Sequence, residues 1–178
     1  MKIINTISLF LSFFVFSSCS SYQIDKYSKN NQNTPNLSSS QVIFIALPEN
    51  GKYNNKIYSN SGKDTQQALN LIFSRYSDSV ILGEISENLK NTKDIAIQEK
   101  ADVLVYPTIY NWEDRNTAWS GITDKVTIDV QIISLKDNIV IDKTSLSSHS
   151  SWFTFTNEPP QKLLPKMFEE YVKQLYGY

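Results

Sequence analysis

One histidine, His149, and one cysteine, Cys19, limit the chemistry open to this 178-residue chain. A hydrolytic triad or a histidine-based metal centre has to be built around His149 alone. Ser147, Ser148, Ser150 and Ser151 supply hydroxyls beside it, but a solvent-facing strand histidine accounts for the same pattern. Glu113 and Asp114 are adjacent acids. Neighbours in sequence usually point apart, and carboxylate-pair catalysis needs a set separation across a substrate. Ser61-Gly62-Lys63-Asp64-Thr65 has the outline of a phosphate-binding loop. That motif needs Gly five residues before its second Gly and Ser or Thr right after Lys. Ile57 and Asp64 hold those places, and a carboxylate there repels phosphate. No metal site and no cofactor follow from these residues.

Cys19 has a different chemistry. Lys2 gives a positive start, Ile3 to Phe16 form a short apolar run, and Phe16-Ser17-Ser18 lead into the thiol. A membrane span needs roughly twenty apolar residues. This run is shorter and is interrupted by Asn5, Thr6 and Ser8, so it reads as a signal segment over residues 1–18. Its layout is that of a bacterial lipoprotein, in which cleavage before Cys19 frees the thiol to carry a diacylglycerol. Phe16 stands where Leu is commonest. Two or three acyl chains give stable anchoring where one does not. Ser20 and Ser21, with no Asp after the cysteine, point to the outer membrane and a periplasm-facing domain.

Residues 19–40 are Ser, Asn, Gln and Lys with few large apolar side chains, too little to offset ordering entropy. They read as a tether reaching about 25 Å as a coil. Residues 41–178 are one domain's worth of chain. Net charge is −1, Arg occurs only at Arg75 and Arg115, and no basic stripe is present. That composition argues against nucleic acid, which is bound through clustered cations.

The positioning elements follow from periodicity. Val42 to Leu47 is a continuous apolar run stopped by Pro48, as in a strand buried on both faces. Glu49 to Asn60 reads as a polar loop, with Gly51 in an unusual backbone conformation. Ser61 opens a helix with a capping-box spacing, carrying Leu69, Ile72, Phe73 and Tyr76 on one face. A short strand over residues 79–83 and a weaker helix over 86–100, with Leu89, Ala96 and Ile97 inward, come next. The third strand, Asp102 to Tyr110, contains Pro107, which removes a ladder donor and belongs at an edge or bulge. Val126, Ile128, Val130 and Ile132 alternate with polar residues, the pattern of a strand with one wet face. Asp137-Asn138 turns it back into Ile139 to Leu146, and Ser148 to Phe155 extends further. Leu164, Met167, Phe168, Tyr171, Val172 and Leu175 mark a C-terminal amphipathic helix, in which Pro165 fits only the first turn. The order β-α-β-α-β followed by an antiparallel meander predicts a mixed α/β (α+β) fold, one mixed sheet packed by helices.

The most distinctive stretch is Trp112-Glu113-Asp114-Arg115-Asn116-Thr117-Ala118-Trp119-Ser120-Gly121. Two tryptophans and an arginine are the stuff of interface hot spots, and aromatic pairs also close hairpin ends. Trp112 fits closure. Trp112, Glu113, Asp114, Arg115, Thr117 and Trp119 form the candidate interface.

Val103 to Ile109, Trp112 to Arg115, Thr117, Trp119-Ser120-Gly121 and Asp124 resemble the signature of a bacterial lipoprotein family known as domain of unknown function 4823. Pro48 to Gly51, Tyr53, Ser151-Trp152, Thr154-Phe155, Pro160, Leu163-Leu164 and Tyr171-Val172 extend the likeness. The resemblance implies an anchored envelope protein and carries no activity. The resulting expectation is a non-enzymatic outer-membrane lipoprotein that binds an envelope protein. The alternative is a glycan or small-ligand binding domain, or a weak envelope hydrolase, using Trp119, Glu113, Asp114 and His149.

Overall fold

The apolar run after residue 41 is an interior strand of the sheet, buried on both faces, as its lack of alternation predicts. The structure, a computed structural model, describes residues 21–26, 36–114, 124–149 and 159–178. Its elements are β1 (Ser21–Lys26), β2 (Val42–Ile45), β3 (Lys52–Tyr53), β4 (Lys56–Ile57) and α1 (Ser61–Phe73). Then come β5 (Ser79–Leu82), α2 (Leu89–Gln98), β6 (Val103–Glu113), β7 (Lys125–Ser134), β8 (Ile139–His149) and α3 (Pro160–Leu175). Six strands form one mixed sheet in the order β1-β8-β7-β6-β2-β5, and β3-β4 is a separate small hairpin. β2 pairs in parallel with both β5 and β6. The β6-β7-β8-β1 half is antiparallel throughout.

The two sheet faces are covered unequally. Ile43, Ile45, Val103 and Val105 meet Val126, Ile128, Val130 and Ile132 in a large core closed by α1 and α3. Phe44, Ala46, Leu104 and Ile133 form a smaller core with Ala96 of α2 on the opposite face. Alternation along β2 and β6 thus feeds both cores, whereas β7 buries one side and leaves Thr127, Asp129 and Gln131 half-buried. Leu69, Ile72 and Phe73 of α1 and Leu163, Leu164, Met167, Phe168, Tyr171 and Val172 of α3 are buried, as their spacing predicts.

Several local expectations are corrected. Ser21–Lys26 is not tether: it forms β1, paired along its whole length with Thr144–His149 of β8. The 49–60 segment is not only loop, since it folds into the β3-β4 hairpin, turned by Asn54 at φ 52°. α1 has no capping box. Asn60 caps it in the left-handed region at φ 72° without a side-chain bond. Ile97 is 54% exposed, because α2 rotates Ala96 into the core instead. Pro165 lies a turn inside α3, whose first position is Pro160. Residues 150–155 of the extended piece after β8 lie outside the described residues. Among the described residues no helix is long and apolar enough to cross a membrane.

Candidate functional site

β6 carries both regions of interest. At its far end a register shift between Ile109 and Asn111 inserts an extra residue. The bulge puts Ile109 and Trp112, three apart, on the same face of the strand. Trp112 is fully buried in the large core, so its ring closes the fold and is withdrawn from the candidate interface. Glu113 is 9% exposed, and its Oε1 accepts a 2.8 Å bond from Asn111 Nδ2. The backbone carbonyl of Asp114 accepts from the Tyr58 hydroxyl at 3.4 Å. Arg115, Thr117 and Trp119 lie outside the described residues.

Glu113 pairs across the sheet with Lys125, Lys125 with His149, and His149 with Ser21. His149 is therefore two strands from Glu113, about 10 Å at ordinary strand spacing. Ser147 and Thr127 share a 3.1 Å hydroxyl contact. No group of three His, Cys, Asp or Glu among the described residues is placed to hold a metal.

The start of α1 is filled by protein. Ser61 Oγ accepts from Gly51 N–H at 2.7 Å and donates to the Tyr58 carbonyl at 2.7 Å. Gly62 N–H donates to Asn50 Oδ1 at 3.1 Å, and a β-carbon on Gly62 would stand 2.4 Å from the Pro48 carbonyl oxygen. No phosphate fits against Gly62. Gly51 itself has no positive φ, contrary to expectation. It is glycine because a β-carbon there would lie 2.7 Å from Trp112 Cβ and 2.8 Å from Ile109 Cγ2.

The site that sequence reading missed lies at the carboxyl end of β2. The chain passes from β2 through α1 to β5 on one side, then through α2 to β6 on the other, with the helices on opposite faces. Such a reversal opens a crevice beyond the strand ends, the usual ligand position in open α/β sheets. Pro107 sets its floor. Ala46 N–H donates to the Val105 carbonyl at 2.9 Å, and the next rung of a parallel ladder would come from the nitrogen of residue 107. Proline has no hydrogen to give. Pairing with β2 stops, Leu47 to Asn50 turn away, and β6 runs on beyond β2 with β7 as its ladder partner.

The resulting cleft is about 650 Å³, walled by Leu47 to Asn50, Ser86 to Asn88 and Tyr106 to Tyr110, with Lys52 at its lip. Gln66 Nε2 ties the ends of β2 and β5 together by donating to the Ile45 carbonyl at 3.0 Å and the Gly83 carbonyl at 2.8 Å. Tyr106 Oη donates to the Glu87 carbonyl at 3.2 Å. Burial, and then the Glu49 charge, raise the ionisation point of that hydroxyl. Asn88 Oδ1 caps α2 by accepting from Asn91 N–H at 3.0 Å. The side chains of Glu49, Lys52, Thr108 and Tyr110 make no hydrogen bond among the described residues. The β-α-β-α-β order was the available signal for this cleft.

The model of the family described as domain of unknown function DUF4823 matches residues 35–175. The chain belongs to this family. The DUF4823 match takes in the cleft and the whole of β6, while β1 lies upstream of it. The fold is shared with the PelC dodecamer from Paraburkholderia phytofirmans, at 9% identity and a TM-score of 0.65, over 90% of this chain and 99% of that one. It is also similar to lipoprotein GNA1162 from Neisseria meningitidis, at 12% identity and a TM-score of 0.50, over 78% of this chain and 99% of that one. At these identities the likeness is one of fold. No curated protein matches this DUF4823 chain in sequence.

Proposed function

We propose that the chain is a non-enzymatic binding module of the bacterial cell envelope, lipidated on Cys19 and held on the outer membrane with its domain facing the periplasm. The observation that carries the reading is the position of β1. Ser21, two residues after Cys19, is already paired with His149 in the sheet. An anchor on Cys19 would hold the Ser21, His149, Lys125 and Glu113 end of the sheet against the membrane, with no 25 Å tether between. The sequence that follows Glu113 and His149 carries Arg115, Thr117, Trp119 and Trp152. Two proteins of this fold lend support, since one is named as a lipoprotein and the other as a dodecamer. Both names suit an anchored, assembling module, and the partner is an envelope protein.

The test is palmitate labelling and in-cell cross-linking of the tagged full chain, with Cys19→Ala as control. One partner recovered in near-stoichiometric yield, together with label, and both lost in Cys19→Ala, supports the reading. Absence of label overturns the anchoring. Abundant envelope proteins recovered equally from both forms overturn the adaptor role. The cleft favours a second reading, ligand binding.

A further inference from the structure

We propose that the cleft beyond β2 binds an uncharged, hydroxyl-rich ligand, a pyranose unit of a neutral saccharide. The inference deepens the binding-module reading and rests on it only for the location of the ligand.

The lining decides the ligand class. Glu49 and Glu87 stand against the single ammonium of Lys52 in and around the cleft, so a phosphate or carboxylate ligand meets net negative charge. No three-ligand metal group exists among the described residues. An apolar ligand would strand the acids, amides and hydroxyls of the walls, each a desolvation cost without return. What remains is a ligand with both donors and acceptors. Glu49 offers an acceptor, Thr108 Oγ1 and Tyr110 Oη offer both roles, and Lys52 offers donors. None of these has a hydrogen-bond partner among the described residues. Tyr110 is 64% exposed, and the flat apolar face of a pyranose can cover its ring.

A peptide is the rival occupant, because β6 outruns β2 and presents a free edge. Strand addition is limited at the same residue that creates the cleft. Pro107 has no N–H on the β2 side, so an added strand loses a rung in the middle of the site. A saccharide needs no ladder. The cleft also lies toward the Glu113 end of β6, about five residues or 17 Å along the strand from Thr108. An envelope glycan close to the membrane surface is in reach of it.

The experiment uses the full chain in detergent, titrated calorimetrically with tetra-N-acetylchitotetraose and cellotetraose as neutral probes. A tetragalacturonate is the anionic probe and Gly-Val-Thr-Val-Gly the extended-peptide probe. Saturable binding of at least one neutral probe is expected, with the anion binding at least about tenfold more weakly. Tyr110→Ala and Glu49→Gln, both at exposed side chains without hydrogen-bond partners, should each weaken that binding about tenfold while the melting temperature stays fixed. Ile139→Ala, at the opposite end of the sheet, should leave it unchanged. No binding of either neutral probe overturns the proposal. So does neutral binding that survives both cleft variants, or preference for the peptide. Failure here leaves palmitate labelling and partner capture unaffected, so the two readings fail separately.

Discussion

Gly51 rests against Trp112 with room for no atom between them, since a β-carbon on the glycine would lie 2.7 Å from Trp112 Cβ. The contact joins the loop that walls the cleft to the buried ring that ends β6. Gly51→Ala is predicted to push the loop off β6 or to displace Trp112. Overpacking of this kind costs about 1–3 kcal/mol, or roughly 3–10 °C in melting temperature for a domain of this size. Thermal unfolding by circular dichroism reads it, and an unchanged melting temperature would show that the loop is soft at this point.

Ser61 holds the other side of the same loop. Its hydroxyl satisfies both the Gly51 N–H and the Tyr58 carbonyl, and the side chain is 1% exposed. Ser61→Ala leaves the buried Gly51 N–H without its acceptor, while the Tyr58 carbonyl keeps the Ser61 backbone N–H at 3.2 Å, and the loss is predicted to cost about 1–3 kcal/mol. Lys63→Ala, exposed two residues on, is the control and should change stability by less than about 0.5 kcal/mol. Equal effects in chemical denaturation would remove Ser61 from the scaffold of the cleft.

Two tyrosines of α3 and its end contribute to the loss of stability at alkaline pH. Tyr171 Oη donates to Asp142 Oδ2 at 2.9 Å. Burial, then the Asp142 charge and hydrogen bond, hold its ionisation well above the ordinary value. Burial pushes Tyr176 up to about 12. In the unfolded chain both titrate near 10. Above that pH the unfolded state therefore binds fewer protons than the native one, so stability is complete below about pH 10 and falls as pH rises. The slope is about 1.4 kcal/mol per pH unit for each tyrosine still protonated in the fold. Tyr171→Phe should flatten the fall in urea unfolding between pH 10 and 12 while lowering stability at pH 7. An identical alkaline slope in the variant would reject the assignment.

The elements legible in the sequence are those whose side chains report burial by period. The unbroken run at Val42, the alternation from Val126 to Ile132 and the stripe from Leu164 to Val172 each map onto the surface they cover. The cleft was illegible for a different reason. It arises where a rung fails to form at Pro107 and where the Pro48 to Gly51 backbone folds onto α1, and neither event leaves a periodic trace. Pro107 announced an edge without saying which neighbour would end there. β1 was hidden because its alternation, Tyr22 and Ile24 between Ser21, Gln23 and Asp25, is only a few residues long and lies within a Ser- and Asn-rich stretch. Closure was the sequence's expectation for Trp112, and the bulge in β6 is what turns its ring inward.

The pairing of β1 with β8 makes a geometric prediction for the anchored protein. If Ser21–Lys26 completes the sheet, the Thr144–His149 stretch of β8 is bonded along both edges, and deleting residues 21–26 should speed hydrogen exchange at the alternate amides that point to β1. The same pairing fixes orientation, because Lys125 shares the end row with Ser21 while Asn138 turns the chain at the other end of the ten-residue β7. Those ends are about 33 Å apart. A fluorophore placed by Lys125→Cys in vesicle-bound, lipidated protein should be quenched by a headgroup-level quencher, and one placed by Asn138→Cys should not. A twelve-residue Gly-Ser insertion after Cys19 adds about 20 Å of coil and should abolish the difference. Equal quenching at both sites without the insertion would mean that the domain does not stand on its β1 end, and the orientation would fail with it.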